Sequence, residues 1–155
     1  MKILYVEDDP LDADLTRRAL QKNAAHIQLD IARSRVEALK LLDKKGSQYD
    51  LLLTDLNLPD GSGFSLLSHV REQIIPIAVV VITGQGDEEI AVSALKAGAD
   101  DYVVKRQDYL DHLPKILTSA LERHRLEIAR RERPLRVLYL ESDPADIDLT
   151  RRHFA

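Results

Sequence analysis

Residues 51–63 read LLLTDLNLPDGSG. Leu51, Leu52 and Leu53 follow one another without alternation, so both faces of this short segment are apolar. A strand of that kind is covered on both sides, as in a parallel sheet flanked by helices. The run ends on Thr54 and Asp55, and turn residues follow from Pro59 to Gly63. Gly61 and Gly63 read as loop glycines with freedom in φ, not as a nucleotide cradle, and no glycine-rich loop precedes the first helix.

Working outward, apolar runs of the same type recur at Ile3 to Val6, Ile77 to Ile82 and Tyr102 to Val104. Ile27, Leu29 and Ile31 alternate instead with Gln28 and Asp30, which predicts an edge strand with one wet side. Helical patterns with start and stop signals lie between the strands. Asp9 followed by Pro10 reads as an N-cap and first helical residue, with Leu11, Leu15 and Ala19 as the apolar face. Ser34 and Glu37 form a capping box, and Gly46 ends that helix. Asp87 caps a further helix with Ile90, Ala91, Ala94 and Leu95 inward and Gly98 after its end. An extended C-terminal helix runs from about Tyr109 to Arg131, with Pro114 near its first turns. Strand and helix alternate five times. Right-handed crossovers then predict an α/β fold, a doubly wound five-stranded parallel sheet with helices on both faces.

A chain of 155 residues that is 45% hydrophobic and 31% charged suits one packed domain and a little over. The net charge of −4 argues against nucleic acid as a direct partner. Without cysteine there is neither a disulfide framework nor a thiolate metal site, as in a reducing cytoplasm. The first apolar run stops at Glu7, too short for a signal peptide or a membrane span.

The tail repeats the head. Residues 136–154 match residues 2–20 at eleven of nineteen positions, from Leu4/Leu138 to Arg18/Arg152. The expected organisation is one domain over 1–125, a linker helix over 126–134, and the truncated first β-α unit of a second, similar domain over 135–155. One strand and one helix cannot bury a core alone, which suggests a piece cut from a longer tandem protein. Residues 122–136 hold six arginines interleaved with Glu122, Glu127 and Glu132. The preferred reading is a solvated helix with His124 in water; the sharper one is a homodimer seam through Leu117, Leu121, His124 and Ile128.

Ligands of open parallel sheets bind beyond the carboxyl ends of the strands. Here those ends carry Glu7-Asp8-Asp9, Asp55, Thr83 and Lys105. If the first and third strands are neighbours, Glu7, Asp8 and Asp55 converge. Their mutual repulsion calls for a hard cation, and a small oxygen site with room for water suits Mg²⁺. Asp9 reads as the helix cap more than as a ligand. A carboxylate beside Mg²⁺ can attack phosphorus and form an aspartyl phosphate, with Lys105 neutralising charge and the Thr83 hydroxyl donating to a phosphoryl oxygen.

The segments ILYVEDDP (3–10), LLLTDLNLPDGSG (51–63), VVVITGQG (79–86) and AGADDYVVK (97–105) together resemble a response-regulator receiver domain of two-component signalling. The resemblance covers residues 1 to about 125. It implies a flavodoxin/CheY-like strand order of 2-1-3-4-5 and a phosphoryl group taken from a histidine kinase or phosphotransfer protein. It implies Glu7 and Asp8 as the acidic pair, Asp55 as phosphoacceptor, and Asn57 as a metal ligand through its backbone carbonyl. Thr83 and Tyr102 would form the switch, with Tyr102 alternatively a half-buried strand aromatic, and Lys105 would contact the phosphoryl group. The family usually has proline after this lysine; here it is Arg106. A haloacid-dehalogenase-type phosphatase needs a second aspartate where Asn57 stands. A pseudo-receiver that only binds protein sits poorly with the intact acidic set, Thr83 and Lys105.

Overall fold

The computed structural model describes residues 1–45, 48–84 and 88–133. The expected stop at Gly46, the cap at Asp87 and the second unit over 135–155 lie outside them. The elements are β1 (Lys2–Val6), α1 (Pro10–Asn23), β2 (Gln28–Ala32), α2 (Arg35–Lys45), β3 (Leu51–Asp55), β4 (Asn57–Leu58), β5 (Gly61–Ser62), α3 (Gly63–Glu72), β6 (Ala78–Thr83), α4 (Glu88–Lys96), β7 (Asp101–Val104) and α5 (Tyr109–Arg131). Five strands form one parallel sheet in the order β2-β1-β3-β6-β7, which is 2-1-3-4-5 counted within the sheet. β4 and β5 make a small antiparallel hairpin just after Asp55, where the sequence reads only as turn.

Side chains alternate across the strands, and each face of the sheet has its own core. Leu4, Val6, Leu52, Val79 and Val81 pack with residues of α2, α3 and α4. Ile3, Tyr5, Leu51, Leu53, Val80 and Ile82 pack with residues of α1 and α5. β2 lies at the edge as the alternation predicts. Asp9 caps α1, its carboxylate accepting from the Leu11 and Asp12 N–H groups. Of the Ser34–Glu37 box the first half forms, the Glu37 N–H donating to Ser34 Oγ at 3.2 Å, while the Glu37 carboxylate accepts from the Arg33 N–H, one residue before the expected donor.

Two predicted helix faces are wrong. In α1 the buried residues are Ala13, Thr16 and Leu20, while Leu11 and Leu15 are exposed. In α4 only Ala91 and Ala94 of the predicted four are buried, and Ile90 and Leu95 are exposed. Both helices are rotated on the sheet relative to their apolar spacing, so α1 turns Ala13, Thr16 and Leu20 inward and α4 turns Ala91 and Ala94.

His124 is not solvated. It is buried, and its Nδ1 lies 2.9 Å from Asp100 Oδ1. Leu117 and Leu121 are buried against the sheet on the same helix, so three of the four residues of the expected dimer seam are spent inside their own domain. Asp100 also accepts from the Val79 N–H at 2.7 Å and from Arg71 Nη2 at 2.8 Å, tying α3, β6 and α5 together. Burial alone would raise the Asp100 carboxyl pKa; the bonds from His124 and Val79 and the Arg71 charge outweigh it and hold the group below its ordinary 3.8. The unfolded chain therefore binds this proton more readily than the folded one. The stabilisation is present above about pH 4 and is lost as pH falls through the native value. Asp100→Asn is expected to lower unfolding free energy at neutral pH by about 2–3 kcal/mol and to flatten its acid limb. Urea unfolding between about pH 3 and 7 checks this, and parallel wild-type and variant curves would count against it.

Candidate functional site

Register brings the polar strand ends into one line. Val6 pairs with Ala32 and Thr54, so Glu7 emerges beside Asp55. Asp55 pairs with Ile82 and Thr83 with Val104, which places Thr83 and Lys105 along the same edge. Parity does the rest. Glu7 continues the face of Ile3 and Tyr5, and Asp55 continues that of Leu51 and Leu53, so both carboxylates lie on the side covered by α1 and α5.

They meet on Lys105. Its Nζ donates to Asp55 Oδ2 at 2.7 Å, Glu7 Oε2 at 2.8 Å and Asp12 Oδ2 at 2.8 Å. Glu7 is almost fully buried, and burial pushes its carboxyl pKa up against the pull of Lys105. Burial would also drive the lysine toward its neutral form, but the bonds to Asp12, Asp55 and Glu7 outweigh this and hold its pKa well above the ordinary range. Tyr5 donates its hydroxyl to Glu7 Oε2 at 3.1 Å; burial first and the Glu7 charge second keep that phenol protonated. The other Asp55 oxygen, Oδ1, accepts the Asn57 N–H at 2.9 Å.

The remaining predicted residues sit around this cluster. Thr83 is fully buried, its hydroxyl donating to the Gly84 carbonyl at 3.2 Å. Tyr102 is half-buried against the core below β6. Asp8 is exposed and does not share the lysine; the carboxylates that meet on the ammonium are Glu7, Asp12 and Asp55. Asp12 was missed by sequence reasoning. Its signal was its place in the first turn after the Asp9 cap, on the helix covering the Glu7 face. The Arg106 N–H donates to the Val104 carbonyl at 2.8 Å, a bond that proline could not make.

Gly63 is needed for space, which corrects its reading as a loop glycine with special φ. A Cβ there would lie 2.3 Å from the Asp55 carbonyl oxygen. Gly63→Ala must push α3 off β3, at a cost of about 1–3 kcal/mol or more. Urea unfolding measures the loss, and a variant as stable as wild type would refute the close approach. Of these two glycines it is Gly61 that has a positive φ, at +146°.

Three carboxylates against one ammonium leave net negative charge, with Asp8 and Asp9 exposed beside them. An all-oxygen, anionic donor set of this kind fits a hard divalent cation. Among the described residues no three acidic or histidine side chains already stand in a metal-holding arrangement; those that converge do so on Lys105. Among the same residues no helix is long and apolar enough to cross a membrane.

Comparison with known proteins agrees with this architecture. The family profile of the response regulator receiver domain matches residues 3–118. The response regulator protein PilR of Pseudomonas aeruginosa is 38% identical over 122 residues, covering 77% of this chain and 26% of that protein. The methanogenesis regulatory protein FilR1 of Methanothrix harundinacea is 35% identical over 130 residues, covering 83% of this chain and 29% of that protein. The chain thus spans under a third of the length of these two relatives. The crystal structure of a response regulator receiver domain protein from Clostridium thermocellum superposes with a TM-score of 0.71 at 27% identity, over 81% of this chain and 98% of that one. With the parallel sheet, its acidic edge and the lysine held there, these matches establish that the chain belongs to the response regulator receiver domains, the phosphoacceptor modules of two-component signalling.

Proposed function

We propose that Asp55 is the phosphoacceptor, that Glu7, Asp8, Asp55 and the Asn57 backbone carbonyl hold Mg²⁺, and that Lys105 and Thr83 contact the transferred group. The observation that supports this most is Asp55 itself. It is 8% exposed at the end of the central strand, one oxygen on a backbone N–H and the other on an ammonium. That placement orients the carboxylate beside a cation.

The donor is a phosphohistidine of a histidine kinase or phosphotransfer protein. An Asp55 oxygen attacks phosphorus, the P–N bond breaks, and the electron pair stays on the imidazole nitrogen, which takes a proton from water. Bound Mg²⁺ supplies charge neutralisation for the transferring group. Lys105 turns one of its three hydrogen bonds to a phosphoryl oxygen. The Thr83 hydroxyl turns from the Gly84 carbonyl toward the phosphoryl group, and Tyr102 follows into the space so released. The setting is cytoplasmic, and the chain continues into a second receiver-like unit from residue 135. In that unit Ser142 takes the place of Asp8, so it binds metal weakly and serves mainly in interaction.

The test is intact mass after incubation with acetyl phosphate and Mg²⁺. One phosphoryl group retained per chain is the expected result; no gain would refute an active phosphoacceptor, and release of many phosphates per chain would favour a phosphatase. The ligand assignment has its own test. Asp8→Ala is expected to weaken Mg²⁺ binding by about tenfold or more, since ligand charge tunes such sites. Asp9→Ala is expected to keep the affinity and lose about 1 kcal/mol of stability with the α1 cap. A calorimetric titration ranking the two affinities the other way would move the ligand to Asp9.

A further inference from the structure

Lys105 has three N–H donors, and all three are taken by carboxylates in this structure. It cannot bind a phosphoryl oxygen without releasing one of them. Glu7 is fixed from several sides, accepting also from the Tyr5 hydroxyl and the Asp9 N–H in a buried position. Asp55 is fixed by the Asn57 N–H and is itself the proposed acceptor. Asp12 differs. Its side chain is 34% exposed, and its carboxylate accepts from Lys105. It is the most open to solvent of the three carboxylates, so water can replace this bond at less cost than the other two.

We infer that Asp12 is a competing anchor for Lys105, one that holds the ammonium in the unphosphorylated state and must let it go when the phosphoryl group arrives. The inference rests on the reading of Asp55 as phosphoacceptor. Asp12 opposes phosphorylation in two ways. It occupies one of the three donors, and it adds a negative charge to the mouth through which an anionic donor enters. Glu7 and Asp55 hold the lysine without it, so its loss leaves the cation in place.

The experiment compares wild type, Asp12→Asn, Asp12→Ala and Asp12→Glu. Labelling by acetyl phosphate with Mg²⁺ is followed by intact mass over a range of donor concentrations and two salt concentrations. Both neutral variants are expected to half-saturate at about three- to tenfold lower donor concentration, with the limiting rate changed less than about twofold and the gain shrinking in high salt. Asp12→Glu restores wild-type behaviour. In the metal-free protein, NMR is expected to show the Lys105 ammonium protons exchanging faster in the neutral variants. Labelling at or below the wild-type rate in both neutral variants, with the unfolding midpoint unchanged, would overturn the inference and leave Asp12 a surface ion pair or a simple support. Wild type that takes no label at all would instead overturn the Asp55 assignment, so the two failures are distinguishable.

Discussion

Asp55→Asn is expected to abolish labelling by acetyl phosphate altogether while leaving the fold intact. An amide is no nucleophile toward phosphorus at neutral pH, whereas its oxygen can still accept the Asn57 N–H that Asp55 Oδ1 accepts now. Lys105 keeps Glu7 and Asp12 as partners, and the crowded edge loses one negative charge. Thermal unfolding should therefore stay at or above the wild-type midpoint, so a lost label cannot be ascribed to misfolding. Unchanged labelling in the variant would place the phosphoacceptor elsewhere, and peptide mapping would find it. In a protein that continues through the whole second unit, Asp55→Asn should also remove nearly all label. Robust labelling mapped beyond residue 135 would show that Ser142 does not disable that unit.

Lys105→Ala is expected to slow labelling about a hundredfold, the cost typical of removing one donor that stabilises developing charge. Its effect on the resting protein is as informative. Three carboxylates lose their shared cation, and Glu7 is the one that cannot turn to water. Burial already pushes its pKa above the ordinary 4.5, and Lys105 is the chief opposing influence. Without the lysine, Glu7 takes up a proton in the folded state that the unfolded chain does not bind. Stability of the variant is then retained below the ordinary Glu pKa and declines as pH rises through the raised native value. The deficit against wild type should reach about 3 kcal/mol at neutral to mildly alkaline pH. Urea unfolding across pH, with the Glu7 carboxyl followed by NMR, measures both parts. A deficit independent of pH, with Glu7 still ionised, would show that water replaces the ammonium at this edge.

Much of this protein was legible in its sequence because the relevant signals are local. Uninterrupted apolar runs such as Leu51 to Leu53 identify strands covered on both faces, and the alternation around Ile27 to Ile31 identifies an edge. The caps at Asp9 and Ser34 are set by bonds spanning two or three residues. The parallel five-stranded sheet, the polar strand ends at Glu7, Asp55, Thr83 and Lys105, and the tail that repeats the head could all be read without coordinates.

What depended on distance could not. Leu11 and Leu15 are apolar members of α1, yet Ala13, Thr16 and Leu20 are buried, because the rotation of the helix on the sheet decides which side chains are covered. His124 sits among charged residues in the sequence and is buried only because Asp100, 24 residues away, supplies its partner. Gly63 is required by the approach of the Asp55 carbonyl, which no neighbour in sequence announces. Asp12 joins Lys105 across 93 residues. The sequence by itself determined the five strands of the main sheet, their order along the chain and the chemistry available at the strand ends. The tertiary structure alone decided which carboxylates share the ammonium, because a hydrogen bond depends on tenths of an ångström that only the packing of α1 and α5 on the sheet defines.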